Sequence, residues 1–222
     1  MRERNIFDLL ASAASTGTEA LAPATGQTAA TPLCSSSPLE ALATEAAGCT
    51  RCRLRGQATQ VVFADGDTQA ELMFVGEGPG AEEDKQGLPF VGAAGQLLNR
   101  ILEAAEIKRS EVYIANIVKC RPPGNRLPQK DEVEACLPYL LRQIELVSPK
   151  ILVCLGLLAA QVLIDPKIRV SVARGNWFAR GEIRVMPTFH PAALLRDPAK
   201  KRPVWEDMKQ IRDSYRQIRQ GR

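Results

Sequence analysis

Four short runs of nearly unbroken apolar residues, at 72–75, 112–118, 151–155 and 184–188, constrain this chain more than any other feature. A strand with one wet face alternates polar and apolar residues, and a run such as ILVCL at 151–155 has no wet face. Between the runs, apolar residues recur at helical spacing: Leu97, Leu98, Ile101, Leu102 and Ala105, then Val133, Leu137, Leu140, Leu141 and Ile144. Pro138 is expected to kink the second of these helices. LLAAQVLI at 157–164 and VWEDMKQIRDSYRQIR at 204–219 read the same way. Alternating strands and helices predict an α/β fold with a parallel sheet covered on both faces. Ligands of such sheets sit beyond the carboxyl ends of the strands.

The 222 residues, 45% hydrophobic, suffice for one such domain plus a tail. Residues 1–37 read as a flexible tail, rich in Ala, Thr, Ser, Gly and Pro beyond residue 11. NIFDLL near its start is a candidate partner-binding segment. The domain is expected over 38–222, opening on a helix capped by Ser37. No apolar run reaches membrane length, and Asn5 and Asp8 interrupt the only leader-like stretch, so the cytosol is expected. A monomer is expected. The net charge is +4, and residues 196–222 hold nine Lys/Arg against four Asp/Glu. Lys119, Arg121, Arg126 and Lys130 form a second basic cluster. Such clusters suit a polyanion, although the C-terminal one also fits a solvated helix face.

GEGPGAEED follows the first strand at 76–84. Gly76, Gly78 and Ala81 match a dinucleotide-binding fingerprint, but Pro79 removes an N–H and Glu82, Glu83 and Asp84 would repel phosphate. A loop of this kind suits a flat, neutral group. Phe90, between Pro89 and Gly92, is the expected stacking platform, exposed on its loop. Asn116, in the second strand, can read a nucleobase edge because an amide both donates and accepts. His190 ends the fourth strand beside Pro191.

Six cysteines are present. Cys49 and Cys52 form a CxxC pair, followed by Cys120 after the second strand and Cys136 in the next helix. Four thiolates suit Zn²⁺ or an iron–sulfur cluster, and the spacing alone does not choose. Cys154 reads as a buried apolar residue, and Cys34 as a free thiol in the tail.

GEGPGAEEDKQGLPFVGAAGQLLNRIL, VYIANIVKCRPPGNRLP, HPAALLR and the four cysteines together resemble the family 4 uracil-DNA glycosylases, over about residues 40–215. The resemblance implies a three-layer α/β/α sandwich with a central four-stranded parallel sheet and a [4Fe–4S] cluster held by Cys49, Cys52, Cys120 and Cys136. It implies a hydrolase that excises uracil from DNA and leaves an abasic site for base excision repair, and so a repair or replication partner for the NIFDLL segment of the tail. Phe90 would stack on the extruded uracil, Asn116 would read its O4 and N3, and His190 would donate to O2. Glu83 would crowd C5 against thymine, Glu77 and Gly78 would line the water side, and Leu194 would enter the duplex as a wedge. Gly78 departs from the alanine common at that position, and the general base is left open, with Glu77 the candidate. The RPPGNR loop lacks the histidine of a related group that bonds covalently to its product, so turnover is expected. Two rivals are a non-catalytic metal-containing DNA-binding protein and a nucleotide-binding enzyme using the first loop.

Overall fold

The computed structural model describes residues 37–221. Cys34 and the rest of the predicted tail lie outside the described residues. Helix α1 (Pro38–Ala47) starts where expected: the Ser37 hydroxyl accepts from the Glu40 N–H, and the Glu40 carboxylate accepts from the Ser37 N–H.

The four apolar runs become β2 (Leu72–Gly76), β3 (Tyr113–Asn116), β4 (Ile151–Leu155) and β6 (Ile183–Thr188). They pair in parallel in the order β3-β2-β4-β6. Two short strands extend this core into a mixed six-stranded sheet: β1 (Asp65–Gly66) pairs antiparallel with β3, and β5 (Phe178–Arg180) with β6. The expected four-stranded sheet is therefore the centre of a larger one. The edge strands are two and three residues long, too short for a periodic signal, and Gly181 at φ 57° turns β5 into β6.

Alternate strand residues face opposite layers. Leu72, Phe74, Ile114, Ile151 and Val153 pack with α3 (Ala93–Ala104), α7 (Pro191–Arg196) and α8 (Lys201–Gln220) through Leu98, Leu102, Leu194, Met208 and Ile211. On the other side α4 (Lys130–Val147) packs on β3, and α5 (Leu157–Leu163) on β4 and β2. α4 continues through Pro138. The remaining helices, α2 (Ala81–Gln86) and α6 (Val170–Ala173), are short. No described helix is long and apolar enough to cross a membrane. Cys154 is fully buried in β4, as expected, and burial pushes its thiol pKa up.

The register places Gly76 beside Asn116 at the carboxyl ends of β2 and β3. Backbone pairing continues past the strands, with Ile117 and Val118 donating to the Gly76 and Glu77 carbonyls at 3.0 and 3.2 Å. The chain after β2 is thus fixed against the chain after β3, where the site forms.

Candidate active site

A cleft of about 630 Å³ opens at the carboxyl edge of the parallel strands. Glu77, Gly78, Glu83, Phe90, Asn116 and His190 all line it, so six of the residues picked from sequence converge from three strand ends.

Phe90 is the pivot. It is only 5% exposed, so it is a buried wall of the cleft rather than an open platform. Its ring lies over Gly76, where an added Cβ would come within 2.5 Å of the Phe90 ring and 2.6 Å of Asn116 Oδ1. Its backbone has φ 54°, an uncommon conformation for a non-glycine residue that the surroundings must enforce. Two side chains do so. Glu83 accepts from the Val91 and Gly92 N–H groups at 3.0 and 2.8 Å, and from the Gly80 N–H at 3.1 Å. Arg109 donates to the Pro89 and Phe90 carbonyls at 2.7 and 3.2 Å and pairs with Asp65. Gly95 lets α3 lie directly on this turn, since a Cβ there would fall 1.9 Å from the Phe90 carbonyl oxygen.

The acidic run after the glycines therefore has separate tasks. Glu82 pairs with Lys85 on the surface. Glu83 clamps the Phe90 turn. Asp84 is buried and accepts from the Thr59 N–H and hydroxyl at 2.9 and 2.8 Å. With Gly80 N–H bonded to Glu83, this loop does not offer the free cradle that a nucleotide pyrophosphate needs.

Asn116 is 2% exposed, and among the described residues its Oδ1 is the one buried side-chain oxygen or nitrogen without a hydrogen-bond partner. A buried amide oxygen normally has a partner, so one left open on a cleft wall marks a place for a ligand donor. His190 lies two residues beyond β6 and caps α7: its Nδ1 accepts from the Ala192 N–H at 3.1 Å, which leaves the proton on Nε2. Its ring faces Phe90 with centroids 5.5 Å apart. Burial pushes the His190 pKa down to about 4, with Arg196 acting in the same direction and Glu83 opposing. Burial also raises Glu77, against the pull of Arg196. Gly78 lies so close to Val118 that a Cβ would approach its Cγ2 to 2.7 Å, which accounts for glycine here.

The wedge expectation needs correction. Leu194 is 1% exposed and belongs to the core beneath α7, so it cannot enter a duplex without leaving the core. Its neighbour Leu195 is 46% exposed and lines the cleft. Sequence reading could not phase so short a helix. The second basic cluster also breaks up. Lys119 is buried and donates to the Asn116 carbonyl at 2.8 Å and to Gln143. Arg126 forks onto the fully buried carboxylate of Glu132 at 2.7 and 2.8 Å. In α8, Lys209, Arg212, Arg216 and Arg219 all pair with carboxylates, so this face fits the solvated reading. Arg109, Glu132, Leu195 and Arg196 were missed as site residues because their partners lie far away in sequence or depend on helix phase.

The four cysteines gather behind the β3 end. α1 packs on α4 and delivers the CxxC segment there, with Arg53 bridging to Glu132 at 2.8 Å. Cys120 and Cys136 are buried, while Cys49 and Cys52 are partly exposed. Burial pushes the Cys120 thiol up to about 12, and negative charge on Cys136, Cys52 and Cys49 pushes it the same way. Cys136 is raised mainly by burial. Thiols that oppose one another's ionisation become a favourable set of thiolates only around a cation. Backbone N–H groups of Lys119 and Arg51 point at Cys136 and Cys49 sulfurs, at 3.2 and 3.5 Å. Among the described residues, no three His, Cys, Asp or Glu side chains form a site for a single metal ion.

Comparison with known proteins agrees with this geometry. Residues 63–209 match the uracil DNA glycosylase superfamily model. Type-4 uracil-DNA glycosylases of Sulfurisphaera tokodaii and Thermotoga maritima are 44% and 45% identical to the chain. Those alignments cover 79% and 74% of this chain, and 84% and 88% of the relatives. A type-5 enzyme of Pyrobaculum aerophilum is 32% identical over 58% of this chain and 64% of its own length. With the superfamily model covering most of the domain and the type-4 relatives most of the chain, this protein belongs to the type-4 uracil-DNA glycosylases of the uracil DNA glycosylase superfamily.

Proposed function

We propose that the cleft takes a uracil extruded from DNA and hydrolyses its N-glycosidic bond, leaving an abasic site. The observation that carries this reading is the unpartnered Oδ1 of Asn116, in one cleft with a neutral His190 and the Phe90 ring. Uracil offers an N3–H donor between two carbonyl acceptors. Asn116 Oδ1 accepts from N3–H while its amide nitrogen donates to O4. His190 Nε2–H donates to O2, where negative charge grows as the bond breaks, in the manner of an oxyanion hole. Cytosine has no N3–H to satisfy Oδ1.

The C1′–N1 electron pair leaves with uracil, a water oxygen bonds to C1′, and that water gives up a proton. Glu77 is the proposed acceptor, because desolvation raises the basicity of its carboxylate. Glu83, pinned by three N–H groups, presents a fixed wall at the C5 edge that a thymine methyl would meet. Leu195 takes the wedge position, and Arg196 faces the DNA backbone.

The cysteine site fits a [4Fe–4S] cluster. Four cysteines close enough to raise one another's pKa supply the all-sulfur donor set that such a cluster takes. Cys49, Cys52, Cys120 and Cys136 would hold it, and it would supply a structural cross-link behind the base-reading strand.

The test is a labelled oligonucleotide with one uracil, incubated with protein, treated with alkali and sized on a denaturing gel. Cleavage at uracil and not at thymine, reduced at least a hundredfold in Asn116→Ala and His190→Ala, is expected. Uncleaved DNA with folded, iron-containing protein would overturn the reading and favour a DNA-binding module.

A further inference from the structure

Among the described residues, five large apolar side chains are prominently exposed: Leu88, Leu127, Leu157, Val172 and Leu195. Two of them, Leu127 at 66% and Leu195 at 46%, line the same cleft. They stand on different lips. Leu195 follows β6, and Leu127 lies between β3 and α4. In the order β3-β2-β4-β6 those strands are three spacings apart, roughly 14 Å.

Leu127 does not sit on a loose loop. Its carbonyl accepts from Arg126 Nη1 at 2.9 Å, and the same guanidinium forks onto buried Glu132. Pro128 behind it is buried, and the Gln129 N–H donates to Glu132 at 2.7 Å. Arg126 and Gln129 are thus tied to one buried carboxylate while the leucine between them projects outward. A leucine held this way gains burial only when something occupies the cleft. Arg196, beside Leu195 on the opposite lip, suits a polyanion.

We infer that Leu127 is a second apolar wedge, which enters the base stack at the step flanking the extruded nucleotide, on the lip opposite Leu195. Apolar wedges unstack neighbouring bases and kink the duplex, which lowers the cost of extrusion. The inference rests on the uracil-excision reading. It differs from a phosphate contact in one respect: a wedge acts only where a stacked duplex must be opened.

The experiment compares single-turnover excision from one uracil sequence in duplex and single-stranded form. Wild type, Leu127→Ala, Leu127→Met and Leu195→Ala are measured side by side. Leu127→Ala is expected to lower the duplex-to-single-strand rate ratio at least tenfold. Leu127→Met, which restores apolar bulk, is expected to return it to within about threefold of wild type. An unchanged ratio in Leu127→Ala, or an equal loss on both substrates, overturns the wedge while excision by wild type upholds the enzyme. No excision by wild type from either substrate sinks the functional reading and the wedge with it.

Discussion

At the scale of single residues, the site depends on two absences: a missing side chain at Gly76 and a missing proton on His190. Gly76→Ala would drive a methyl into the Phe90 ring and Asn116 Oδ1 together. Phe90 cannot swing away, because Glu83 and Arg109 hold its backbone on both sides. The variant should fold, lose about 1–3 kcal/mol to overpacking, and fall roughly a hundredfold in kcat/KM. Steady-state kinetics and urea denaturation together check this. His190 makes an independent prediction. With its pKa pushed down to about 4, the imidazole stays neutral through the working range. The kcat/KM profile should therefore show no acid limb from His190 between pH 5 and 8, and a fall only as pH approaches 4. The sign for stability follows from the same shift. Between about 6.5 and 4 the unfolded chain takes up a proton that the native site refuses, so this group removes stability as pH drops through that window. A limb near pH 6.5 that vanishes in His190→Gln would show a charged histidine at work instead.

At the scale of elements, strand ends were easier to read than the struts behind them. Asn116 and His190 stood out because a polar residue closing an apolar run has no packing reason to be there. Phe90 stood out by its glycine-flanked turn, yet its burial was not legible. Burial follows from α3 lying on that turn through Gly95. Which of Leu194 and Leu195 is exposed depends on the phase of a six-residue helix, which no periodicity can supply. Glu132 looked like one more acid at a helix start. It is in fact the hub joining three segments: Arg53 beside the CxxC pair, Arg126 on the cleft rim, and its own helix. Arg126, with help from the Gln129 N–H and Arg53, holds its pKa down to about 2. A depressed carboxylate stabilises fully above its ordinary pKa near 4.5 and loses that contribution as pH falls toward 2. Glu132→Ala leaves guanidinium groups facing a buried gap, and about 3 kcal/mol of stability should go. Leu127 loses its mount at the same time, so KM for duplex DNA should rise more than kcat falls. Urea denaturation read at pH 7 and pH 3 gives the check: the gap between wild type and variant should narrow at the lower pH.

At the scale of the whole molecule, the parallel sheet brings the chemistry together at one edge, but residues 37–70 contribute to it only a two-residue edge strand. The cluster proposed on the four cysteines would supply a tether. Cys52 and Cys120 are 68 positions apart, and Cys136 lies further on in α4, so a shared centre closes a long loop across the β3 side of the domain. Closing a loop of that length removes roughly 4 kcal/mol of unfolded-state entropy by the estimate used for disulfides. In a domain of this size that corresponds to a fall of about 10 °C in Tm when the tether is cut. Cys136→Ala should therefore lose iron and its visible absorbance, and melt about 10 °C lower. The consequences for catalysis should be graded by distance. Phe90 packs with α3 on the face of the sheet opposite α4, so uracil should still inhibit the variant at low temperature with little change. Arg53, next to Cys52, would no longer be held against Glu132, so the Leu127 lip should loosen and duplex substrate should suffer before single strands do. Calorimetry and the two-substrate comparison on one preparation read both effects. A variant that loses iron yet keeps its Tm would show that the cysteines are not a shared cross-link, and that the α1–α4 contact alone holds the amino-terminal segment in place.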